Sequence, residues 1–124
     1  MSVAQRWLEF AEIDLRMAEL ALAHEIFGQT CFHAHQCVEK ALKGILAQRG
    51  EAIPRTHSLI DLGHRVADLP PELTKGLLFV EGYYFPTRYP DARPVLASPP
   101  GREAAERCFK IAEEVLAWAK KIVG

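Results

Sequence analysis

The sequence predicts an all-α fold, a four- to five-helix up-and-down bundle with a Pro-rich loop before the last helix. Three observations predict it. Apolar residues recur at steps of three and four in the long segments, no segment alternates strictly between apolar and polar residues, and 124 residues suit one domain. We therefore treat residues 1–124 as a single helical domain.

The first helix is predicted to begin at a capping box, Ser2-Val3-Ala4-Gln5. Gly28 is a plausible stop signal for it. The apolar positions that share one face are Trp7, Ala11, Leu15, Ala18 and Leu22. The acidic residues, which we expect on a solvated face, are Glu9, Glu12, Asp14 and Glu19.

The second helix is predicted from about Thr30 to Arg49. Gly44 interrupts its strong helical pattern, and a mid-helix glycine costs about 1 kcal/mol against alanine, so we expect another helix to approach closely there. The apolar stripe consists of Cys31, Ala34, Val38, Ala41, Leu42 and Ile45, and another face carries Gln36, Glu39, Lys40 and Lys43.

Two short helices and one long helix are predicted in the second half. Ser58-x-x-Asp61 resembles a capping box, and Pro71 suits the first turn of the next helix. Residues 85–100 contain five of the eight prolines, so no regular helix runs through them. The last helix, over about Arg102 to Ile122, has a coiled-coil-like apolar seam.

Charge and cysteine content narrow the class of protein. A formal net charge of −1 excludes a molecule that attracts nucleic acid over its whole surface. The three cysteines are an odd number without a CxxC pair, which indicates reduced thiols in a cytoplasmic protein. No run of eighteen apolar residues exists, so we expect no transmembrane helix.

The most informative stretch for function is Tyr83-Tyr84-Phe85-Pro86-Thr87-Arg88-Tyr89-Pro90-Asp91. Residues 82–102 carry a local charge of +2 and residues 40–57 a local charge of +3. Should these regions meet, they form a basic, aromatic-lined groove, in which arginine binds phosphate and aromatic rings stack on bases. The structural alternative is that Arg88 bonds Asp91 or helix-end carbonyls and that the tyrosines complete the core.

A metal site is a further alternative. His33 and His35 lie near Cys31, Cys37 and Glu39, and the pairs spaced by four share a helix face. The sequence has neither HExxH nor paired CxxC, and the two cysteines point to different sides of a helix. We therefore predict neither a metal nor another cofactor.

Taken in order, the segments WLEFAEIDLRMAELAL, CFHAHQCVEKALKGIL, THSLIDL and TRYPD resemble the HEPN family, named for higher eukaryotes and prokaryotes nucleotide-binding. The specific part is Gln36 with Glu39-Lys40-Ala41-Leu42-Lys43 and the later Arg88-Tyr89-Pro90-Asp91. The resemblance implies a helical bundle that forms a homodimer. It also implies a minimal nucleotidyltransferase as a partner, in some cases as a toxin–antitoxin pair.

The resemblance also covers a ribonuclease branch of the family, which carries an arginine and a later histidine with four to six residues between them. Here no arginine stands at that spacing before any of the five histidines. Arginine cannot act as the base at neutral pH, so cleavage would need a histidine, His33 or His57, from another helix.

We carry three hypotheses. The first is a homodimeric module that binds a nucleotide or RNA phosphate, with Arg88 on phosphate, Tyr84 and Tyr89 against a base, and Asp91 orienting Arg88 or meeting a ribose hydroxyl. Lys40, Lys43 and His33 would then supply nearby polar contacts. The second is a metal-independent endoribonuclease toxin, and the third is a helical interaction protein without a small ligand.

Overall fold

The computed structural model describes residues 1–84 and 99–124, and within them the chain folds into five α-helices without a strand. The helices are α1 (Val3–Ala23), α2 (Phe27–Gln48), α3 (Leu59–Arg65), α4 (Pro71–Glu81) and α5 (Arg102–Val123). The predicted all-α bundle is therefore confirmed. No helix of this described part is long and apolar enough to cross a membrane.

The helix α1 begins and ends at recognisable caps. The Ser2 hydroxyl accepts from the Gln5 N–H at 3.1 Å, and the Gln5 side chain accepts from the Ser2 N–H at 2.9 Å, which confirms the predicted capping box. The helix ends before the predicted stop, because Glu25 adopts a left-handed conformation with φ 60°. The Ile26 N–H then donates to the Ala21 carbonyl at 2.8 Å, as in a Schellman motif.

This early turn places Gly28 inside α2, which begins at Phe27 and not near Thr30. Helix α2 runs antiparallel to α1, and the two approach closely at Gly44. A Cβ built on Gly44 would lie 2.9 Å from Leu8 Cδ2 and 3.2 Å from Trp7 Cβ. The prediction of a close helix approach at Gly44 is confirmed.

The buried face of α1 is rotated relative to the predicted stripe. Its buried residues are Ala4, Leu8, Ala11, Asp14, Ala18 and Ala21. The expectation of a solvated Asp14 is wrong, since the residue is 7% exposed, whereas Glu9, Glu12 and Glu19 are exposed. Four large apolar side chains remain on the outer surface, between 44% and 60% exposed: Phe10, Ile13, Met17 and Leu20. We call these four residues the α1 stripe.

Helix α2 is the central element of the bundle. Its predicted apolar stripe is buried, and so are His35, Glu39 and Lys43, which a surface helix would expose to solvent. Helix α5 packs on α1 and α2 through the predicted seam, including the buried residues Ala105, Cys108 and Ala112. The short helices α3 and α4 cover the remaining side of α2.

The other helix starts follow the sequence signals. The Ser58 hydroxyl accepts from the Asp61 N–H at 3.1 Å and caps α3, and Pro71 occupies the first turn of α4. Most of the predicted Pro-rich loop, residues 85–98, lies outside the described residues.

Candidate functional site

A polar row on α2 forms the base of the candidate site. His35, Glu39 and Lys43 are spaced by four residues, so they lie on one face of the helix. His35 is fully buried, and the side chains of Glu39 and Lys43 are 5% and 9% exposed. Buried polar groups are costly without partners, so the partners of this row define the site.

Glu39 holds both a lysine and a histidine. Its Oε2 accepts from Lys43 Nζ at 3.0 Å, and its Oε1 lies 3.0 Å from His57 Nδ1. A carboxylate only accepts, so Nδ1 of His57 carries the hydrogen of this bond. The other ring nitrogen, Nε2, is thereby left for a different partner. Because the His57 side chain is 66% exposed, that partner can come from solvent.

His35 and Glu81 connect α2 to α3 and α4. His35 Nε2 lies 2.9 Å from Glu81 Oε1, and Glu81 Oε2 accepts from the Leu59 N–H at 3.1 Å. Burial alone would raise the pKa of Glu81, but the hydrogen bonds from His35 and Leu59 outweigh it and hold this pKa below its ordinary value. Glu81 is therefore a carboxylate at neutral pH.

A cavity of about 420 Å³ opens above this network. It is lined by Arg55, Thr56, His57, Ser58, Glu81 and Tyr84. The Tyr84 ring forms one wall, with its centroid 4.2 Å from the His35 ring and 6.0 Å from the His57 ring. Tyr84 is only 7% exposed, so little of its ring is open to the cavity.

A second polar cluster lies between α1 and α2. Asp14 Oδ1 lies 3.0 Å from His33 Nδ1, and Asp14 Oδ2 accepts from Lys40 Nζ at 2.5 Å. Lys40 also lies 6.0 Å from the centre of the Phe10 ring. This cluster pins α1 to α2 and explains why Asp14 is buried.

The described residues of the predicted site have different partners in the structure. Lys40 and His33 are engaged by Asp14, whereas Lys43 is engaged by Glu39, and Tyr84 lines the cavity. Arg88, Tyr89 and Asp91, the centre of the predicted phosphate site, lie outside the described residues. Tyr84 directly precedes residues 85–98, so the cavity lies where the chain enters that segment.

Sequence reasoning counted Arg55 only in the charge of residues 40–57, considered Glu39 only as a metal ligand and His57 only as a possible base, and missed Glu81. One signal was available. Glu39 and Lys43 have opposite charges four residues apart, a spacing at which two side chains of a helix form an ion pair. The contacts of Glu81 with His35 and Leu59 had no comparable signal.

The cysteines are all free and buried. Burial raises the pKa of the Cys37 thiol, with the Asp14 carboxylate adding to the effect. The hydrogen bond with Cys31, followed by burial, raises the pKa of Cys108. None of the described residues groups three histidines, cysteines or carboxylates as metal ligands would be.

The fold and the comparisons with known proteins agree on one family. The profile of the HEPN domain matches residues 4–122, and no curated protein matches the chain. The chain belongs to the HEPN domain family.

Solved structures of similar chains support this assignment. TT1696 from Thermus thermophilus is 36% identical, with 98% of this chain and 99% of that chain covered and a TM-score of 0.84. ST0689, an archaeal HEPN homologue, is 30% identical over the whole of both chains, with a TM-score of 0.82. A HEPN domain protein from Thermotoga maritima, tm0613, shares the fold at 23% identity, with 95% and 97% of the two chains covered and a TM-score of 0.77.

Proposed function

We propose that this HEPN domain binds the phosphate of a nucleotide or of RNA at the cavity beside Tyr84. The observation that carries the proposal is the lining of a cavity of about 420 Å³, which includes the exposed cation of Arg55 and the exposed ring of His57. A guanidinium is a strong donor to phosphate oxygens, and a protonated imidazole donates from both ring nitrogens. Arg88 and Tyr89, four and five residues beyond Tyr84, complete the site in this proposal.

Calorimetric titration with ATP, GTP and a short single-stranded RNA tests the proposal. We expect heat of binding with at least one ligand and its loss in Arg88→Ala. Arg6→Ala is the matched control, because Arg6 is exposed near the start of α1 and far along the chain from the cavity. Unchanged affinity in Arg88→Ala would contradict the role of Arg88, and no heat with any ligand would contradict the function.

The proposal includes a homodimer, and the α1 stripe is the face that supports it. Phe10, Ile13, Met17 and Leu20 follow steps of three, four and three, which is the spacing of a helix–helix seam. The row is symmetric about its middle. A second copy related by a two-fold axis therefore places Phe10 on Leu20 of the other chain and Ile13 on Met17.

The proposed partner is a nucleotidyltransferase, and the basis for it is the family resemblance carried by the EKALK and RYPD segments. Co-purification of the two proteins from cells that express both tests it. In this scheme the pair acts as toxin and antitoxin. Growth arrest on expression of the HEPN chain alone, relieved by the partner, is the expected result.

The endoribonuclease hypothesis gains one observation. His57 lines the cavity while its Nδ1 is held by Glu39 and its Nε2 is not engaged by Glu39, an arrangement that suits proton exchange. Incubation with RNA in the presence of a chelator, compared with His57→Gln, decides between binding and cleavage. Intact RNA in both samples supports the binding module.

A further inference from the structure

We propose that the cavity binds a phosphate group between Arg55 and a protonated His57, so that binding takes up a proton from solvent. The inference rests on the proposed phosphate-binding function and adds the residues, the charge state and the pH dependence of the site. It follows from the charges that face the cavity in residues 1–84 and 99–124.

Before a ligand enters, the cavity is flanked by both positive and negative groups. The cavity is lined by one fixed cation, Arg55, and one carboxylate, Glu81. Beneath it, Lys43 and Glu39 form a buried ion pair that also sums to zero. Apart from His35, which is hydrogen-bonded to Glu81, the charges of these described groups sum to zero while the His57 imidazole is neutral.

An anion that enters the cavity needs a net attraction to offset the hydration that it loses. Transferring a phosphate from water into a partly enclosed space loses hydration, and attraction to Arg55 is opposed by repulsion from Glu81. Protonation of His57 adds a positive charge beside the position of the anion. A bound phosphate favours the charged form of a neighbouring histidine, so binding and protonation are linked.

The hydrogen bond from His57 to Glu39 already accommodates the protonated ring. Glu39 Oε1 accepts from Nδ1 of His57 in either charge state, and it gains attraction when the ring becomes positive. Protonation adds a hydrogen at Nε2, the ring nitrogen that Glu39 does not engage. His57 then changes from an acceptor to a donor at the position that a phosphate oxygen would occupy.

The Arg55 guanidinium is available as a second donor to the phosphate. No ion pair joins its guanidinium to a carboxylate of the residues that the structure describes, whereas Arg49 and Arg102 are engaged by Asp68 and Glu25. Arg55 and His57 are two residues apart in one loop, on either side of Thr56, and both line the cavity. One phosphate can therefore accept from both.

The test is calorimetry at pH 7 in two buffers that differ in ionisation enthalpy, which gives the number of protons bound with the ligand. The probes are AMP, which carries a phosphate monoester, the dinucleoside monophosphate ApA, which carries only a diester, and adenosine without phosphate. We expect uptake of a substantial fraction of one proton with AMP, ApA or both. Adenosine, which has no phosphate, should not show this binding. The comparison of AMP with ApA distinguishes a mononucleotide from an RNA backbone.

The variants assign the proton to one residue. His57→Gln should bind the same probe more weakly and without proton uptake, and Arg55→Ala should weaken binding. His64→Gln and Arg65→Ala are the matched controls, because both residues are exposed on α3 and neither lines this cavity. In the unaltered protein the affinity for ApA should fall about tenfold between pH 6 and pH 8, as expected for a histidine that binds its ligand protonated.

Three results overturn the inference. Binding without proton uptake, uptake that persists in His57→Gln, or AMP and ApA affinities unaffected by Arg55→Ala and His57→Gln would each do so. When ATP or RNA still binds in a manner that depends on Arg88, the proposed function stands and only the placement of phosphate fails. When no phosphate ligand binds at all, both fail.

Discussion

At the scale of single residues, Glu81 is the group that connects three helices at the site. It accepts from His35 on α2 and from the first N–H of α3, while it belongs itself to α4. A carboxylate is suited to this position because it offers two oxygens without a hydrogen. One side chain therefore joins the interior of α2 to the beginning of α3 and the end of α4.

The first prediction concerns the pH dependence that follows from Glu81. Its pKa is lower in the folded protein than in the unfolded chain, so its contribution to stability is complete above the unfolded pKa and is lost as the pH falls through the folded pKa. We expect Glu81→Gln to be less stable at pH 7 and to lose less stability on acidification. Urea denaturation at several pH values between 7 and 3 measures this, and equal pH slopes would refute it.

The second prediction concerns the buried pair of Glu39 and Lys43. Removal of one partner leaves a buried charge without compensation, so Glu39→Gln should destabilise the fold by about 3–5 kcal/mol. The double variant Glu39→Gln with Lys43→Met removes both charges and should recover most of that loss. Thermal and urea denaturation of the single and double variants give the comparison, and a double variant as unstable as the single one would contradict the explanation.

At the scale of elements, the α1–α2 hairpin depends on a glycine for its close packing. The predicted reason for Gly44 is the observed one, because a Cβ there would contact Leu8, Trp7 and the Ala4 carbonyl. The turn between the two helices depends on Glu25, a residue that sequence rules do not favour at a positive φ. This is why the beginning of α2 was predicted three residues too late.

The third prediction compares two glycines of α2. Gly44→Ala should destabilise the protein by about 1–3 kcal/mol, since overpacking outweighs the gain in helix propensity. Gly28→Ala has no atom within 4 Å of the new Cβ and should stabilise by up to about 1 kcal/mol. The midpoints of urea unfolding of the two variants test the pair. Equal effects at both positions would show that close packing is not the reason for Gly44.

At the scale of the whole molecule, the α1 stripe is a row of exposed apolar side chains on one helix. The fourth prediction is that Ile13→Lys converts a homodimer to a monomer in sedimentation equilibrium, because a buried charge at the middle of a two-fold seam has no partner. Leu78→Lys is the matched control, since Leu78 is equally exposed, at 61%, but lies on α4. A monomer in the unaltered protein, or dissociation only in Leu78→Lys, would contradict the assigned face.

The family and the fold were determined by the sequence itself, because helical periodicity, capping residues and prolines act locally. The capping box at Ser2, the cap at Ser58, Pro71 in the first turn of α4 and the seam of α5 were all predicted and observed. The family followed from short segments along the whole chain, and the HEPN profile matches residues 4–122.

Only the tertiary structure decided which polar residues share a site. Asp14 and Lys40 are 26 positions apart, and His35 and Glu81 are 46 apart, so no local pattern reports that they meet. The sequence pattern also did not determine how α1 is rotated about its axis, because α1 carries enough apolar residues to bury either of two adjacent faces. Packing against α2 and α5 selected the face with the small alanines, and the larger Phe10, Ile13, Met17 and Leu20 were left outside.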